Sequence, residues 1–266
     1  MSAPALPPFD ISAAKLNPDT VAIVTGSADG LGKAFAHALL QKGAKGVCIS
    51  DVNEEKGKGA LNEFAKEFGE DRVTFVKCDV TAHADFEAVF AKTKERFGPV
   101  NLMVNNAGIL NENVPDLCID VNVKGTIAGT FSAIKYMGSE AGGKGGKIIN
   151  VASLAGLGPA VFMPVYAASK HAIVGLTKSL AVDPRLQAQG ITFGILCPAF
   201  AKTAIIENPA LFRRPAEDFA IAESVMAKQG VLEIAEVRDA FLRLVLDDSF
   251  KGKAMTLTKA GGLGMA

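Results

Sequence analysis

From Thr20 onward the chain alternates short apolar runs with longer amphipathic segments, and this alternation constrains the fold more than any other feature. The runs are no longer than seven residues, are rich in β-branched side chains and lack clean polar alternation, which is typical of strands buried on both faces. Between them, apolar residues recur at spacings of three and four, which predicts helices. Such strand–helix–strand repeats form parallel sheets, so we expect an α/β fold with a doubly wound, seven-stranded parallel sheet and helices on both faces. The seven predicted strands are TVAIVT, GVCIS, RVTFVKC, VNLMVN, GKIINVA, ITFGILC and AMTLT.

A chain of 266 residues with 49% hydrophobic residues is long enough for one α/β domain with a large core. No low-complexity linker divides it, and we assign residues 20–266 to a single domain. Residues 1–19 contain four prolines and neither the basic nor the apolar region of a signal peptide, so we expect a flexible N-terminal arm. Residues 199–230 contain paired arginines, proline and no strand signal, and a long irregular segment of this kind is often a lid. We therefore predict an irregular substrate-binding lid there.

The charge balance narrows the range of partners. Lys plus Arg and Asp plus Glu both number 28, so no basic surface points to nucleic acid or to an anionic membrane. Cys48, Cys78, Cys118 and Cys197 lack metal-ligand spacing, and we expect reduced core thiols and no metal site. No window approaches ~18 uninterrupted apolar residues, which predicts no transmembrane span. A soluble, cytoplasmic protein that acts on a small molecule is the simplest expectation.

The first predicted strand leads directly into a glycine-rich turn, TGSADGLG, and then into a helix. Gly26, Gly30 and Gly32 are spaced so that the backbone turns tightly and approaches a pyrophosphate, while the helix N-terminus faces the phosphate charge. A glycine-rich turn alone is also compatible with a plain strand-to-helix connection. With a strand before it and a helix after it, the turn favours a Rossmann fold that binds a dinucleotide.

An acidic residue, Asp51, ends the second predicted strand 25 residues beyond Gly26. A carboxylate at this point meets the adenosine ribose hydroxyls and repels a 2′-phosphate. The turn residues Ser27 to Asp29 offer no Arg or Lys that would receive such a phosphate. The sequence therefore favours NAD over NADP, although Asp51 would also be an ordinary solvated acid at a strand end.

A tyrosine and a lysine stand four positions apart in PVYAASKHAIVGL, which places Tyr166 and Lys170 on one face of a helix. Ser153 follows the fifth predicted strand, at the sheet edge where ligands of open α/β proteins bind. Taken singly, a packed tyrosine, a solvated lysine and a helix-capping serine are ordinary. Together they suggest acid–base chemistry, because an adjacent ammonium favours the phenolate of a tyrosine whose free pKa is near ~10.

These features, together with NNAG at residues 105 to 108, resemble the short-chain dehydrogenase/reductase family over roughly residues 20 to 260. Within that family the segments GGKGGKIINVASLAG and PVYAASKHAIVGLTKS are most similar to the NAD-dependent 15-hydroxyprostaglandin dehydrogenase branch and its alcohol dehydrogenase relatives. The resemblance implies that Tyr166 is the general acid/base and that Lys170 holds the nicotinamide ribose and lowers the pKa of the tyrosine. It further implies that Ser153 binds the substrate oxygen and that Asn122 anchors a proton-relay water.

The resemblance also implies a set of cofactor-binding residues spread along the chain. Within the set, Asp79 and Val80 would border the adenine, and Thr203 would meet the carboxamide. One departure is visible, because the family follows its sixth strand with Pro-Gly and this chain has Pro198 and Ala199. The set comprises Gly26, Ser27, Asp29, Gly30, Leu31, Gly32, Asp51, Val52, Asp79, Val80, Asn106, Ala107, Gly108, Tyr166, Lys170, Pro198 and Thr203.

The predicted function is an NAD-dependent oxidoreductase that interconverts a secondary alcohol and a ketone on an apolar or amphipathic small molecule. A non-catalytic NAD-binding regulatory protein, and a reductase-fold enzyme with lyase or cyclase chemistry, are the alternatives. In the resembling family, helices equivalent to residues 119 to 138 and 164 to 183 pair across a two-fold axis, which implies a homodimer or homotetramer. Apolar side chains are expected to border the substrate, namely Leu157, Phe162, Met163, Phe200, Ile205, Ile206, Leu211 and Phe212.

Overall fold

The computed structural model describes residue 6, residues 8–203 and residues 208–266. In this part of the chain one sheet contains eight strands, and each of the seven predicted apolar runs forms one of them. The single-domain Rossmann-like α/β fold predicted from the sequence is thereby confirmed. The strands are β1 (Val21–Thr25), β2 (Gly46–Asp51), β3 (Val73–Lys77), β4 (Leu102–Asn105), β5 (Gly146–Val151), β6 (Ile191–Pro198), β7 (Ala254–Thr258) and β8 (Gly262–Met265).

Helices cover both faces of the sheet. Alternate residues of β1 point to opposite sides: Ala22 and Val24 join one apolar cluster with α1, α2 and α9, and Val21 and Ile23 join another with α3 and α5. Burial on both faces explains why the strands read as continuous apolar runs. The helices are α1 (Gly30–Gln41), α2 (Glu54–Phe68), α3 (His83–Phe97), α4 (Pro115–Ile119), α5 (Thr126–Met137), α6 (Pro164–Ala181), α7 (Pro184–Ala188), α8 (Pro215–Gln229) and α9 (Ile234–Leu246).

The strand order, β3-β2-β1-β4-β5-β6-β7-β8, reverses its direction of growth between β1 and β4. Strands β1 to β7 are paired in parallel, and neighbouring connections leave the sheet on opposite faces at that reversal. A crevice opens outside the carboxyl ends of parallel strands at such a point. The topology therefore fixes where a ligand site lies before any side chain is considered.

The sheet has one strand more than the seven that we predicted. The additional strand, β8, pairs antiparallel with β7, with Met265 opposite Met255 and Gly262 opposite Thr258. Its sequence, GLGM, lacks β-branched residues and contains two glycines, so no strand signal marks it. Because β8 occupies the edge of the sheet, its backbone pairing with β7 rather than its side chains determines its conformation.

The predicted lid is largely helical, and the expectation of an irregular segment was wrong for its second half. Helix α8 begins at Pro215, where a proline's missing N–H does not matter, and the Asp218 carboxylate accepts a hydrogen bond from the Arg214 N–H at 3.0 Å. Residues 216–229 of α8 include four alanines and two glutamates, which are good helix formers. Residues 204–207, which include the predicted contacts Ile205 and Ile206, lie outside the described residues.

The described part of the N-terminal arm packs against the domain, rather than extending away from it as a loose segment would. Leu6, Ile11 and Leu16 contact the core on the α1 and α9 side of the sheet. The Lys42 ammonium, at the end of α1, donates to the carbonyl oxygens of Ser12 at 3.2 Å and Ala14 at 3.1 Å, and also to that of Ile11. Apolar side chains and a lysine donor thus attach a segment whose described residues, 6 and 8–19, form neither helix nor strand.

Across the described residues, none of the helices combines the length and the apolar character needed to cross a membrane. The same residues contain no group of three or more His, Cys, Asp or Glu side chains placed to hold a metal ion. All four cysteines are free and buried, as expected for core thiols.

Candidate active site

A cleft of about 880 Å³ runs along the carboxyl ends of β1 to β6, across the reversal of strand order. Nearly all the predicted site residues line it, although they come from segments far apart in the sequence. Ser27 and Asn122 are the two predicted residues that do not line the cleft. Those that do are Gly26, Asp29, Gly30, Leu31, Gly32, Asp51, Val52, Asp79, Val80, Asn106, Ala107, Gly108, Ser153, Tyr166, Lys170, Pro198 and Thr203.

The glycine-rich turn has the geometry of a phosphate-binding loop. Gly26 and Gly30 have φ angles of 62° and 56°, a conformation that side chains with a Cβ rarely adopt. A Cβ on Gly32 would stand 2.2 Å from the Gly26 carbonyl oxygen, so the first turn of α1 packs on the loop only with glycine there. The exposed start of α1 then presents backbone N–H groups and its positive dipole end to the cleft.

The Ser27 side chain stabilises the turn from the interior of the protein and does not face the cleft. Its side chain is fully buried, and its hydroxyl donates to the Val24 carbonyl oxygen at 2.6 Å and accepts from the Ser50 N–H at 3.0 Å. These two bonds tie the turn to β1 and β2. Any contact of Ser27 with a ligand would therefore come from its backbone.

Two acidic residues, Asp29 and Asp51, line the cleft beside the glycine-rich turn. The Asp51 carboxylate accepts hydrogen bonds from the Ala28 N–H at 3.0 Å and the Asn53 N–H at 2.9 Å. The Lys56 ammonium lies beside it, but donates to the Asp29 carboxylate at 2.7 Å. This hydrogen bond lowers the pKa of Asp29 and raises that of Lys56. Lys56 was absent from the predicted site, because it lies one helix beyond the turn in the sequence.

The middle of the cleft is held by the NNAG segment after β4. The Asn106 side chain donates to the carbonyl oxygens of Thr25 at 2.9 Å and Gly26 at 3.0 Å, which fixes the glycine-rich turn against β4. The N–H groups of Asn106 and Ala107 both donate to the Thr25 hydroxyl at 3.1 Å. The segment therefore has a structural task in addition to lining the cleft.

Tyr166 and Lys170 lie on one face of α6 and close one end of the cleft. The Lys170 side chain is 4% exposed, and its Nζ donates to the Val151 carbonyl oxygen at 3.0 Å. Burial lowers the pKa of Lys170 to about 8. Burial raises the pKa of Tyr166 to about 12, against the opposing effect of a hydrogen bond with Ser153. The expected depression of the tyrosine pKa is thus absent in the protein alone, because loss of hydration outweighs the hydrogen bond with Ser153.

Ser153 faces Tyr166 from the end of β5 and also caps a short helical turn, as a serine in this position would without any catalytic task. Its Oγ accepts from the Ala155 N–H at 3.2 Å and donates to the Pro198 carbonyl oxygen at 3.4 Å. The Pro198 bond links the serine to β6, the strand that leads into the lid. One hydroxyl therefore contacts three parts of the cleft wall.

Asn122 lies behind the cleft in a π-helical turn, Asp120–Gly125, between α4 and α5. It is 1% exposed; its amide donates to the Ile109 carbonyl oxygen at 2.8 Å and its Oδ1 accepts from the Ile109 N–H at 2.8 Å. The place where a Cβ of Gly108 would stand is 3.2 Å from Asn122 Oδ1 and 3.4 Å from Lys170 Nζ. A side chain at residue 108 would therefore crowd both polar groups. π-helical turns often occur at functional sites.

The outer half of the cleft is apolar. Three of the predicted apolar residues, Phe162, Met163 and Phe200, line it, and Leu211 and Phe212 pack behind them in the same cluster. Leu157 instead packs against a different cluster beneath β5 and β6. Four further apolar residues on the wall were not predicted: Leu110, Val161, Ile221 and Val225.

A buried carboxylate that the sequence did not reveal supports the start of α6. Glu112 is 4% exposed, and its two carboxylate oxygens accept from the N–H groups of Val165 at 3.0 Å and Tyr166 at 2.9 Å. More than fifty residues separate these partners, and no local motif marks the contact.

The sequence of this chain is similar to a known family and to characterised proteins. Residues 20–211 match the family model described as short chain dehydrogenase. Over 249 residues the chain is 38% identical to the human "15-hydroxyprostaglandin dehydrogenase [NAD(+)]", an alignment that covers 91% of this chain and 92% of the human protein. It is also 36% identical over 208 residues to "3beta-hydroxysteroid dehydrogenase 2" of Eggerthella lenta, covering 73% and 77% of the two chains.

A solved structure shows the same architecture. The crystal structure of a short chain dehydrogenase/reductase from Burkholderia phymatum in complex with NAD superposes with a TM-score of 0.77. The two chains are 26% identical, and the superposition covers 89% of this chain and 88% of the other.

Proposed function

This chain belongs to the short-chain dehydrogenase family and is an NAD-dependent dehydrogenase, and we propose that it interconverts a secondary alcohol and a ketone with Tyr166 as general acid/base. One observation carries the proposal. Ser153, Tyr166 and Lys170 converge at one end of the same cleft whose other end is formed by the glycine-rich turn. A nucleotide-binding half and a proton-handling half therefore share one cavity.

The nucleotide half fits NAD on structural grounds. Gly32 leaves a cradle that a Cβ would fill, and the start of α1 supplies N–H groups for a pyrophosphate. The Asp51 carboxylate is held in place by two backbone N–H groups, so it would meet ribose hydroxyls as a fixed acceptor. The Lys56 ammonium, which lies near Asp51, is already paired with the Asp29 carboxylate and is therefore not available to bind a 2′-phosphate. These contacts support NAD rather than NADP.

Bound NAD supplies the acceptor for the hydride that leaves the carbinol carbon when the alcohol is oxidised. The chain's own residues handle the proton that must leave the oxygen. The Ser153 hydroxyl would hold the substrate oxygen, and the Tyr166 phenolate would take its proton. The Lys170 ammonium stabilises that phenolate because an adjacent positive charge favours the negatively charged form. Each unit by which it lowers the tyrosine pKa corresponds to roughly 1.4 kcal/mol.

The positions of Asn122 and Lys170 on either side of Gly108 support a route for the proton out of the site. A Cβ on Gly108 would stand 3.2 Å from Asn122 Oδ1 and 3.4 Å from Lys170 Nζ, so a side chain at residue 108 would crowd both groups. We propose that a water anchored by Asn122 relays the proton away from the buried lysine.

The substrate we propose is apolar or amphipathic beyond its alcohol group. Phe162, Met163, Phe200, Ile221 and Val225 form the wall of the outer cleft. A charged group placed against this wall would lose its hydration without gaining a partner. The alternatives, a regulatory NAD-binding protein and a lyase or cyclase, gain no support, because neither needs serine, tyrosine and lysine to converge on one point.

The proposal also covers the oligomeric state and the cellular location of the protein. Phe131 and Val182 are 51% and 74% exposed, and apolar side chains exposed on the two segments expected to pair support a homodimer or homotetramer. A cytoplasmic location is supported by the four free cysteines, since thiols persist where the cell keeps them reduced.

The experiment follows NADH fluorescence, which the absence of tryptophan leaves free of strong protein background. Secondary alcohols graded from short aliphatic through aromatic to steroid and hydroxy-fatty-acid are offered with NAD and with NADP. We expect NADH formation with an apolar class and a fall of roughly 10²- to 10⁴-fold in kcat for Tyr166→Phe. Binding of NAD without turnover of any alcohol, or of the matching ketones with NADH, would overturn the proposed reaction.

A further inference from the structure

The start of α6 lacks a cap of its own. Met163, the residue before the helix, makes no side-chain capping hydrogen bond, and Pro164 at the first position has no N–H to offer. The N–H groups of Val165 and Tyr166, two half-buried residues, come next, and neither has a partner within the helix. A cap has to come from another part of the chain or from solvent.

Glu112 supplies that cap from the loop after β4. Its two carboxylate oxygens accept one N–H each, at 3.0 Å from Val165 and 2.9 Å from Tyr166. A bidentate carboxylate fixes both the position and the direction of the first helical turn, and negative charge is favourable at a helix N-terminus. One of the two N–H groups belongs to Tyr166 itself, so the backbone that carries the phenol is held directly.

The loop that carries Glu112 is in turn attached to the lid. The Glu112 N–H donates to the Leu211 carbonyl oxygen at 2.8 Å. The neighbouring Asn113 amide donates to the carbonyl oxygens of Ala210 at 2.9 Å and Phe212 at 3.3 Å. The position of the Glu112 carboxylate therefore depends on how residues 210–212 of the lid are seated.

We propose that Glu112 is a positioning residue that fixes Tyr166 for proton transfer and connects its placement to the seating of the lid. This inference rests on the proposed function, since it concerns the same tyrosine. Glu112 acts through the backbone of α6 and is not itself a catalytic residue. An ordinary capping residue would stabilise the helix without this effect on the chemistry, and the experiment distinguishes the two.

The test compares Glu112→Gln with a matched control, Asp183→Asn. Gln has the same size, but it presents an NH₂ group to one of the two N–H donors. Asp183 likewise caps a helix, accepting from the Arg185 N–H at 2.9 Å, and it is not part of the cleft lining. We expect both variants to unfold at a lower temperature. Only Glu112→Gln should lower kcat, by roughly 10- to 100-fold for a displaced reacting group, while the Kd for NADH is unchanged.

A second pair of variants keeps the test valid if Glu112→Gln does not fold. Glu112→Asp keeps the charge but is shorter, and should give a kcat between those of the wild type and the Gln variant. Asn113→Ala breaks two lid contacts and leaves the carboxylate in the chain, so it should lower kcat in the same way as Glu112→Gln but to a smaller extent. A kcat unchanged by Asn113→Ala would refute the connection to the lid. If Glu112 variants lose thermal stability but keep kcat, or lose affinity for NADH in proportion to kcat, the proposal is wrong. Failure of the wild type to turn over any alcohol would instead refute the proposed function.

Discussion

The Nζ atom of Lys170 lies 5.4 Å from the centroid of the Tyr166 ring. Loss of hydration shifts the pKa values of these two groups in opposite directions. The pKa of the tyrosine is raised to about 12, and that of the lysine is lowered to about 8. At neutral pH the protein alone therefore holds a neutral phenol beside an ammonium. In the proposed reaction an additional positive charge, that of the oxidised nicotinamide ring, would favour the phenolate.

The first prediction is that NAD lowers the pKa of Tyr166. The chain has two tyrosines and no tryptophan, so in Tyr136→Phe the near-ultraviolet absorbance of tyrosinate reports Tyr166 alone. Tyr136 is replaceable because its ring stacks on Phe90 and only its surface bond to Glu87 is lost. We expect no tyrosinate below about pH 11 without coenzyme, and its appearance at lower pH with saturating NAD. The same titration curve with and without NAD would contradict this mechanism of activation.

A second prediction concerns the stability that Lys170 removes from the fold. Its pKa falls from 10.5 to about 8 on folding, so between these pH values the unfolded chain binds more protons and stability rises with pH. At pH 7 the buried ammonium destabilises the fold by on the order of 3 kcal/mol. Lys170→Met should therefore raise Tm at pH 7 while abolishing turnover. We expect the Tm of the wild type to rise between pH 8 and pH 10, and the substitution should reduce this rise.

Measurement of Tm by calorimetry for both proteins over this pH range tests the prediction, because groups other than Lys170 contribute equally to the two curves. An unchanged or lower Tm for Lys170→Met at pH 7 would mean that the hydrogen bond to Val151 outweighs the loss of hydration.

The third prediction is that Asp51 and Asp29 together exclude NADP. Asp51→Ser removes the carboxylate that would repel a 2′-phosphate, and Asp29→Asn releases the Lys56 ammonium that would attract one. We expect the double variant to reduce the NAD-to-NADP ratio of kcat/KM by about tenfold or more, as expected for a hydrogen bond to a charged group. Glu54→Gln is the control, because it breaks the Lys58 pair on the same helix, outside the cleft. A ratio that shifts equally in the control would show a general charge effect.

The fourth prediction tests the proposed oligomer. Phe131 is a half-exposed ring on α5, and a charge at its place would be buried unpaired if that face forms an interface. Phe131→Glu should therefore reduce the mass measured by light scattering to that of a monomer. Lys66→Glu adds a negative charge to the exposed face of α2 and should leave the mass unchanged. A monomeric wild type would reject the oligomer directly.

The fifth prediction concerns the thiols. All four cysteines are free and buried, and burial raises the pKa of Cys48 and Cys197 to about 12 and that of Cys78 to about 11. Because the thiolate is the reactive form, iodoacetamide at pH 8 should modify none of them in the native protein and all four after unfolding. Mass spectrometry counts the adducts. Rapid labelling of a native cysteine would indicate local opening of the strand or helix that carries it.

Much of this site follows from local sequence. The strand-to-helix pattern predicts the parallel sheet, the three turn glycines predict the nucleotide end, and the four-residue step from Tyr166 to Lys170 predicts their shared helix face. The sheet and the shared helix face are confirmed, because backbone periodicity acts over a few neighbouring residues. The nucleotide role of the glycines stays a prediction. The Lys56–Asp29 pair and the orientation of Ser27 were not predictable in this way, since they depend on how α2 and β2 approach the turn.

Short segments of the sequence suffice to predict most of the elements and to select the candidate residues for the chemistry, because hydrophobic periodicity, turn geometry and side-chain type are local properties. The assembled fold instead sets the antiparallel β8, the helical lid, the cap that Glu112 places on Tyr166 across 54 positions of sequence, and the direction of the tyrosine pKa shift. Each of these depends on packing. Hydrogen bonds between distant segments and the loss of hydration around Tyr166 and Lys170 exist only after the sheet and helices have assembled.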